Sequence, residues 1–356
     1  MIDFRYHLVS LISVFLALAV GIVLGAGPLR ETIGDTLTGQ VDQLRSERDE
    51  LRNQLDAAAA DQAAADAFVD AAGTDLVDGT LTDRRVAVVA LGEVDADALT
   101  AVEGRLSDAG AQVSARVTLT EAWSSTDLRS FRQALVGNIV SYLDPAPAAD
   151  ATVDTSVAEA LVQGLTGADP AQPDALSGDA ATLLELLTSG DSPLVTLGEE
   201  VTAPADAVVL VTPGIAAEAV ATEDPADTEE AEAVLASQVA LARVAQTRSE
   251  GAVVVDGPVV QGSLVSTILA DGSAADALTT VSGADGVSGQ VSVPLALNAT
   301  IGGTTGHYGY GDDLTVLPAT TVLPLPDRTP AGTEGPDAGA GDAGDAGADA
   351  TAGAEG

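Results

Sequence analysis

The polar residues best suited to chemistry in this 356-residue chain stand close together near its C-terminal end. They are grouped among glycines, as Gly306, His307, Tyr308, Gly309, Tyr310, Asp312 and Asp313. The imidazole of His307 and the carboxylates of Asp312 and Asp313 are donors that a hard divalent cation accepts. The alternative is a tight loop in which His307 and Tyr308 bond to backbone groups while the glycines adopt positive φ angles. The sequence leaves both interpretations open.

Motifs typical of enzymes are missing from the sequence. The chain has no Cys and no Lys, which excludes Schiff-base chemistry and a P-loop. The first strand-like segment is followed by Gly92 alone, without the glycine fingerprint of a dinucleotide site. Residues 190–192 read Gly-Asp-Ser, as in an esterase motif, but no DxxH follows to supply a base. Residues 302–306 resemble a phosphate loop, but they follow a helical segment and are better explained as its C-cap. We therefore predict a protein that is not an enzyme, with unknown cofactors.

An apolar run from residue 8 to residue 27 follows a short N-terminal stretch that carries Arg5. About 19 helical residues at ~1.5 Å each span roughly the hydrocarbon core of a bilayer. A cleaved signal peptide is the alternative, but cleavage after Gly27 would leave Pro28 at the first mature position. We expect a retained single-pass anchor with residues 1–7 in the cytoplasm, because Arg5 favours that side. The bulk of the chain is then extracytoplasmic, in the cell membrane.

Two patterns in the first 72 residues predict a parallel homodimer. Small residues lie four apart on one face of the apolar run, where they let two membrane helices approach closely: Ser13, Ala17, Gly21 and Gly25. Residues 31–72 follow as a predicted coiled coil, because a heptad pattern places a seam at Leu37, Val41, Leu44, Arg48, Leu51 and Leu55. Residues 57–72 are rich in Ala, so that half of the stalk frays or packs on the following domain.

Residues 84–325 alternate between strand-like and helix-like segments. Apolar runs predict buried strands at 85–91, 112–119, 207–211, 252–255 and 278–281. Helices are predicted at 95–109, 127–135, 183–187, 228–248, 264–270 and 291–299. Loops are expected at 73–83, 144–150, 167–179 and 223–229. Such alternation predicts an α/β domain with a mainly parallel sheet and helices on both faces.

The charge of the chain is strongly one-sided. Its 54 acidic and 14 basic residues give a formal net charge of −40, which repels nucleic acid and anionic headgroups. A GC-rich genome that favours Ala, Asp, Gly and Val codons explains this composition, and a halophilic source is a second explanation. Residues 326–356 are rich in Asp, Ala and Gly and contain no large apolar side chain, so we expect a disordered acidic tail.

Two segments resemble a known family. Residues 1–25, which read MIDFRYHLVSLISVFLALAVGIVLG, resemble the opening of the actinobacterial copper transport protein B family, the MctB-like proteins. The late Gly-His-Tyr-Gly, followed by Val316-Leu317-Pro318, is similar to the end of that family's domain. The order of anchor, coiled coil and α/β domain also fits, so that the resemblance covers roughly residues 1–325.

The resemblance implies a role in copper homeostasis or efflux, and often an outer-membrane location. A copper carrier would be expected to offer Cys, internal Met or paired His, whereas Met1 is the only Met and the two His lie at opposite ends. One transmembrane helix encloses no pore unless it oligomerises, so we expect the cell membrane rather than the outer membrane. The alternative function is a non-transporting dimeric scaffold for envelope assembly or cell separation, whose domain binds an envelope protein.

Overall fold

The computed structural model describes residues 4–26, 28–214, 225–311 and 313–330, without the side chains of 26, 28–38 and 225–227. The chain divides into two compact units, with the boundary between Phe68 and Val69. The predicted acidic tail at 331–356 lies outside the described residues. The helices, in chain order, are α1 Phe4–Ala26, α2 Pro28–Val77, α3 Ala96–Asp108, α4 Arg129–Ile139, α5 Val153–Thr166, α6 Gly178–Thr188, α7 Pro225–Arg248, α8 Leu264–Ala270, α9 Gly272–Ala277 and α10 Val287–Ile301.

The first unit contains α1 and most of α2. Residues Phe4–Gly25 of α1 are long and apolar enough to cross a membrane, which suggests membrane anchoring. The hydroxyl of Ser13 donates to the carbonyl of Val9 at 2.8 Å, so it remains satisfied inside its own helix. The helix α2 is continuous over 50 residues and extends from the first unit into the second.

The second unit is built on a seven-stranded sheet in the described part of the chain. The strands are β1 Arg85–Ala90, β2 Gln112–Leu119, β3 Ala168–Asp169, β4 Gln172–Leu176, β5 Val195–Leu197, β6 Ala207–Val211, β7 Ala252–Val255, β8 Thr279–Val281 and β9 His307–Tyr308. The sheet order is β5-β2-β1-β6-β7-β8-β9, and only the pairing of β5 with β2 is antiparallel. The strands β3 and β4 form a separate antiparallel pair. The predicted α/β class with a mainly parallel sheet is confirmed.

Each strand of the centre of the sheet is buried on both faces, as its apolar sequence predicts. Successive side chains of β1 alternate between two cores because the side-chain period of a strand is two residues. Ala87 and Val89 join the core under α5, α6 and α7. Val86 and Val88 join the core under α3 and α10. Helices therefore cover both faces of the sheet, as predicted.

Four local expectations are corrected by the structure. The expected loop at 223–229 is helical from Pro225 onward, where α7 begins. The segment 73–83 is not a loop throughout, because α2 continues to Val77, whose side chain is fully buried. The segment 167–179 contains the β3–β4 hairpin and the start of α6. The helix α5 has no counterpart among the predicted elements, although eight of its residues are buried: Ser156, Val157, Ala158, Ala160, Leu161, Val162, Gly164 and Leu165.

A C-terminal strap, residues 319–328, runs back across the domain as an extended segment. The fully buried side chain of Asn298 on α10 holds it: its Nδ2 donates to the carbonyls of Thr80, at 2.8 Å, and Thr321, at 3.0 Å. Its Oδ1 accepts from the amide of Thr321 at 2.8 Å. The buried guanidinium of Arg84 donates to the carbonyl of Pro324 at 2.9 Å and pairs with Glu250. One buried amide thus joins α10, the turn after α2 and the strap.

We predict that Asn298→Ala lowers the free energy of unfolding by about 2–4 kcal/mol, because it removes the three hydrogen bonds of a fully buried amide and leaves a cavity in its place. Urea unfolding of the purified full-length protein measures this change. The matched control is Asn138→Ala on the exposed side of α4, which we expect to change stability by less than about 0.5 kcal/mol. Equal effects of the two substitutions would show that the strap contributes little.

Candidate functional site

The Gly-His-Tyr-Gly motif forms the last edge of the sheet. His307 and Tyr308 make up β9 and pair with Thr280 and Val281 of β8. Gly309 has a φ of 144°, and a Cβ there would stand 2.0 Å from the Oγ of Ser282. A side chain at position 309 would therefore collide with Ser282, the residue that directly follows β8. His307 and Tyr308 therefore lie in an edge strand rather than in a loop, and positive φ angles are found at the glycines that follow, Gly309 and Gly311.

The imidazole of His307 is hydrogen-bonded through both nitrogens. Its Nδ1 lies 2.9 Å from the hydroxyl of Thr280, and its Nε2 lies 3.1 Å from the carbonyl oxygen of Ala275. Since a carbonyl can only accept, the proton sits on Nε2, and Nδ1 accepts from the hydroxyl of Thr280. Burial lowers the pKa of His307, against smaller opposing effects of the Ala275 hydrogen bond and of Asp276. The ring is thus held neutral, with its nitrogens occupied.

The two carboxylates proposed with His307 as metal donors are not assembled around it by the described contacts. Asp313 has a positive φ of 64°, in the turn that follows the motif. Asp312 lies outside the described residues. Among the described residues, no group of three or more His, Cys, Asp or Glu side chains is placed to hold a metal ion. A site for a hard cation that uses His307, Asp312 and Asp313 stays a prediction.

The residues predicted to pair two copies all lie on helices. Ser13, Ala17, Gly21 and Gly25 are on α1, and a Cβ added at either glycine would meet only open space. In the predicted seam, Leu37 is helical with its side chain undescribed, and Arg48 bonds to Asp49 of its own helix at 2.6 Å. The apolar seam side chains are exposed in the single chain, at 44% for Val41, 63% for Leu44, 60% for Leu51 and 70% for Leu55.

A cleft of about 740 Å³ lies where the first two strands end. This carboxyl-edge cleft is bounded by the residues after β1 and β2, by the turn before β5 and by α7; its lining includes Leu91, Gly92, Glu93, Thr118, Thr120, Glu121, Trp123, Ser124, Ser192 and Gln238. The strand order changes direction at β1, since β2 lies on one side of it and β6 on the other. Doubly wound sheets bind their ligands at such a point. The cleft and the His307 motif lie toward opposite edges of the sheet.

The residues after β2, which form one wall of the cleft, are held in place by the buried guanidinium of Arg132. The guanidinium of Arg132, 3% exposed, donates to the carbonyls of Ala122, Ser124 and Ser125. Burial lowers the pKa of Arg132, although the group remains a cation at neutral pH. The carboxylate of Glu230 on α7 accepts from the amide and hydroxyl of Thr126, and these hydrogen bonds hold its pKa below its usual value.

Two further contacts fix the opposite side of the cleft. The hydroxyl of Thr120 donates to the carbonyl of Pro193 at 2.6 Å, which ties the exit of β2 to the turn before β5. The side-chain amide of Gln238 donates to the carbonyl of Leu91 at 3.2 Å, which ties α7 to the end of β1. The cleft is therefore preformed. No sequence motif predicts it. Its only signal in the sequence is that residues 91–93 and 120–124 follow consecutive strands.

A second polar cluster at the same edge of the sheet is internally satisfied. The buried carboxylate of Asp256, directly after β7, accepts from the hydroxyl of Thr212 and from the amides of Gly257 and Val265. These contacts shape the Asp-Gly-Pro turn and dock the start of α8. We assign Asp256 a structural role on these hydrogen bonds.

The structure therefore combines an N-terminal helix that is long and apolar enough to cross a membrane, a 50-residue helix and a doubly wound α/β domain with a cleft. The family described as Copper transport outer membrane protein, MctB, matches residues 1–318. Proteins named Copper transporter MctB from Mycobacterium tuberculosis and Mycobacterium bovis are each 32% identical over 327 residues, covering 87% of this chain and 97% of theirs. The namesake from Mycobacterium leprae is 27% identical over 330 residues, covering 89% and 99%. The chain belongs to the MctB family.

Membership of this family can be compared with the functions that the sequence predicted. The resemblance in residues 1–25 and 306–318 is confirmed, and a family of copper transport proteins supports a role in copper handling. The relatives are named as transporters, which is consistent with a protein that is not an enzyme. The scaffold alternative receives no support from these comparisons.

We predict that His307 makes the stability of the domain depend on pH. The unfolded chain binds a proton on this ring near its ordinary pKa of 6.5, whereas the folded protein binds it only at lower pH. The free energy of unfolding therefore falls as the pH drops from about 6.5 through the lowered pKa. His307→Gln removes this contribution, so the fall between pH 7 and pH 5 becomes shallower in urea titrations. His7→Gln is the control, and a slope unchanged by His307→Gln would contradict the assignment.

Proposed function

We propose that the protein is an envelope-anchored component of copper handling that helps to keep cytoplasmic copper low. Membership of the copper transport family is the observation that carries this proposal. The finer part is topological: residues 1–7 stay in the cytoplasm, α1 is retained in the cell membrane, and the α/β domain works outside. The charge of Arg5 before the apolar helix supports that orientation.

Copper is the cargo of this function, and the chain's own donors suit it poorly. Cu(I) prefers thiolate and thioether ligands. The sequence has no Cys and a single Met, and both nitrogens of His307 are engaged by Thr280 and Ala275. We therefore propose that the domain acts on copper through an envelope protein partner that supplies the soft ligands.

A parallel homodimer is the arrangement that we propose for the anchor and stalk. The apolar seam residues Val41, Leu44, Leu51 and Leu55 are exposed in the single chain, and a second copy of the same helix would bury them. The four-residue spacing of small side chains on α1 supports the same pairing within the membrane. Arg48 at a seam position favours two helices over tighter assemblies, because its charge must reach solvent.

We predict that deletion of the gene raises both copper sensitivity and cell-associated copper. Full-length protein restores both, and so does His307→Gln, because His307 serves the fold rather than copper in this proposal. Growth across a copper series and elemental analysis of washed cells measure the two effects. A zinc series serves as the control metal. Unchanged copper tolerance and unchanged copper content would refute the proposed function.

The dimer is tested by cysteine cross-linking, since the chain has no Cys of its own. Leu44→Cys at a seam position should form a disulfide-linked dimer on oxidation in membranes, because facing d positions bring two Cβ atoms within disulfide range. Ser46→Cys is the matched control, two residues away on the outer side of the same helix. Non-reducing gels measure the linked fraction. Equal cross-linking at both positions would reflect collision and contradict the parallel seam.

A further inference from the structure

The carboxyl-edge cleft has the size and construction of a ligand site. Its volume of about 740 Å³ falls within the range of roughly 300–1,000 Å³ that small-molecule sites occupy. Its walls come from four separate parts of the domain and are fixed by Arg132, Glu230, Thr120 and Gln238. Such preorganisation removes part of the entropy cost of binding. The copper role makes no use of this cleft.

The lining of the cleft selects against anions. Among the described residues that line it, the charged ones are Glu93 and Glu121, both exposed carboxylates. A nucleotide or other phosphate ligand would meet the like charge of Glu93 and Glu121 in this cleft.

The same lining offers acceptors to a cation. Within the described part of the chain, the hydroxyls of Thr118, Ser124 and Ser192 make no hydrogen bond to protein, so they are available to a ligand. The half-buried side chains of Leu128 and Val234 contribute apolar lining, and Trp123 beside them is buried at 3% exposure. A cleft with carboxylates of one sign over low-dielectric walls concentrates oppositely charged ligands.

We propose that the carboxyl-edge cleft binds a small organic cation, whose ammonium group is attracted by Glu93 and Glu121 while its carbon chain lies against the apolar lining at Leu128 and Val234. An ammonium group carries donors only, which matches carboxylate and hydroxyl acceptors. The ligand is a small molecule of the aliphatic amine class. This site is independent of the copper role.

The test uses full-length protein in detergent and three probes of similar length and different charge. They are 1,5-diaminopentane, the neutral 1,5-pentanediol and the dianion glutarate. Calorimetry at about 150 mM salt suppresses the diffuse attraction of the acidic surface, since the Debye length is then about 8 Å. We expect saturable binding of the diamine and at least about tenfold weaker binding of the diol and of glutarate. Absence of saturable diamine binding, or equal binding of the diol, would overturn the proposal.

Matched variants locate the binding. Glu93→Gln and Glu121→Gln should each weaken diamine binding about two- to fivefold, as expected for exposed ion pairs, and the double variant should weaken it further. Glu185→Gln, an exposed carboxylate on α6 outside the cleft, is the control and should leave the affinity unchanged. Both cleft carboxylates are exposed, so the variants retain the fold. An equal loss in the control would assign binding to the general acidic surface and overturn the site.

Discussion

The last turns of α2 are embedded in the α/β domain, and this burial is the constraint on which the architecture depends. Val77 is fully buried, and the Cγ2 of Val291 on α10 stands 2.4 Å from where a Cβ at Gly73 would be. Arg105 of α3 pairs with Asp70 of α2 and with Asp108. The end of α2, from Val69 to Val77, therefore belongs to the α/β domain and shares its core.

The sheet could be predicted from the sequence because its central strands carry their own signal. Strands buried on both faces must be apolar throughout, and the runs that became β1, β6 and β7 end at glycine or proline. The helix α5 carried no such signal. It is buried on several sides, so its apolar and small residues show no single stripe, and its contacts with α4, α6 and α7 define it. The β3–β4 hairpin contains Pro173 and polar residues, and tertiary contacts override its weak strand propensity.

The candidate site shows the same division between local and long-range information. The glycines around His307 predict a tight turn, because Gly309 needs a positive φ. The partners of His307 come from 27 and 32 residues earlier in the chain, and nothing in the local sequence identifies them. The carboxyl-edge cleft depends even more on contacts that the local sequence does not identify. Arg132 positions its wall through three carbonyl groups, and carbonyl groups are present at every residue, so no motif could reveal the contact.

General attraction of cations must be distinguished from selective binding of copper. A surface with a net charge of −40 raises the local concentration of every cation, but carboxylates scattered over a surface provide no selectivity for copper. Selectivity for Cu(I) needs soft ligands in a fixed geometry, and the chain has no Cys and one Met. The side chains that are held in a fixed geometry lie instead around the carboxyl-edge cleft and at the end of α2. The absence of soft ligands in this chain is the reason for proposing that a partner supplies them.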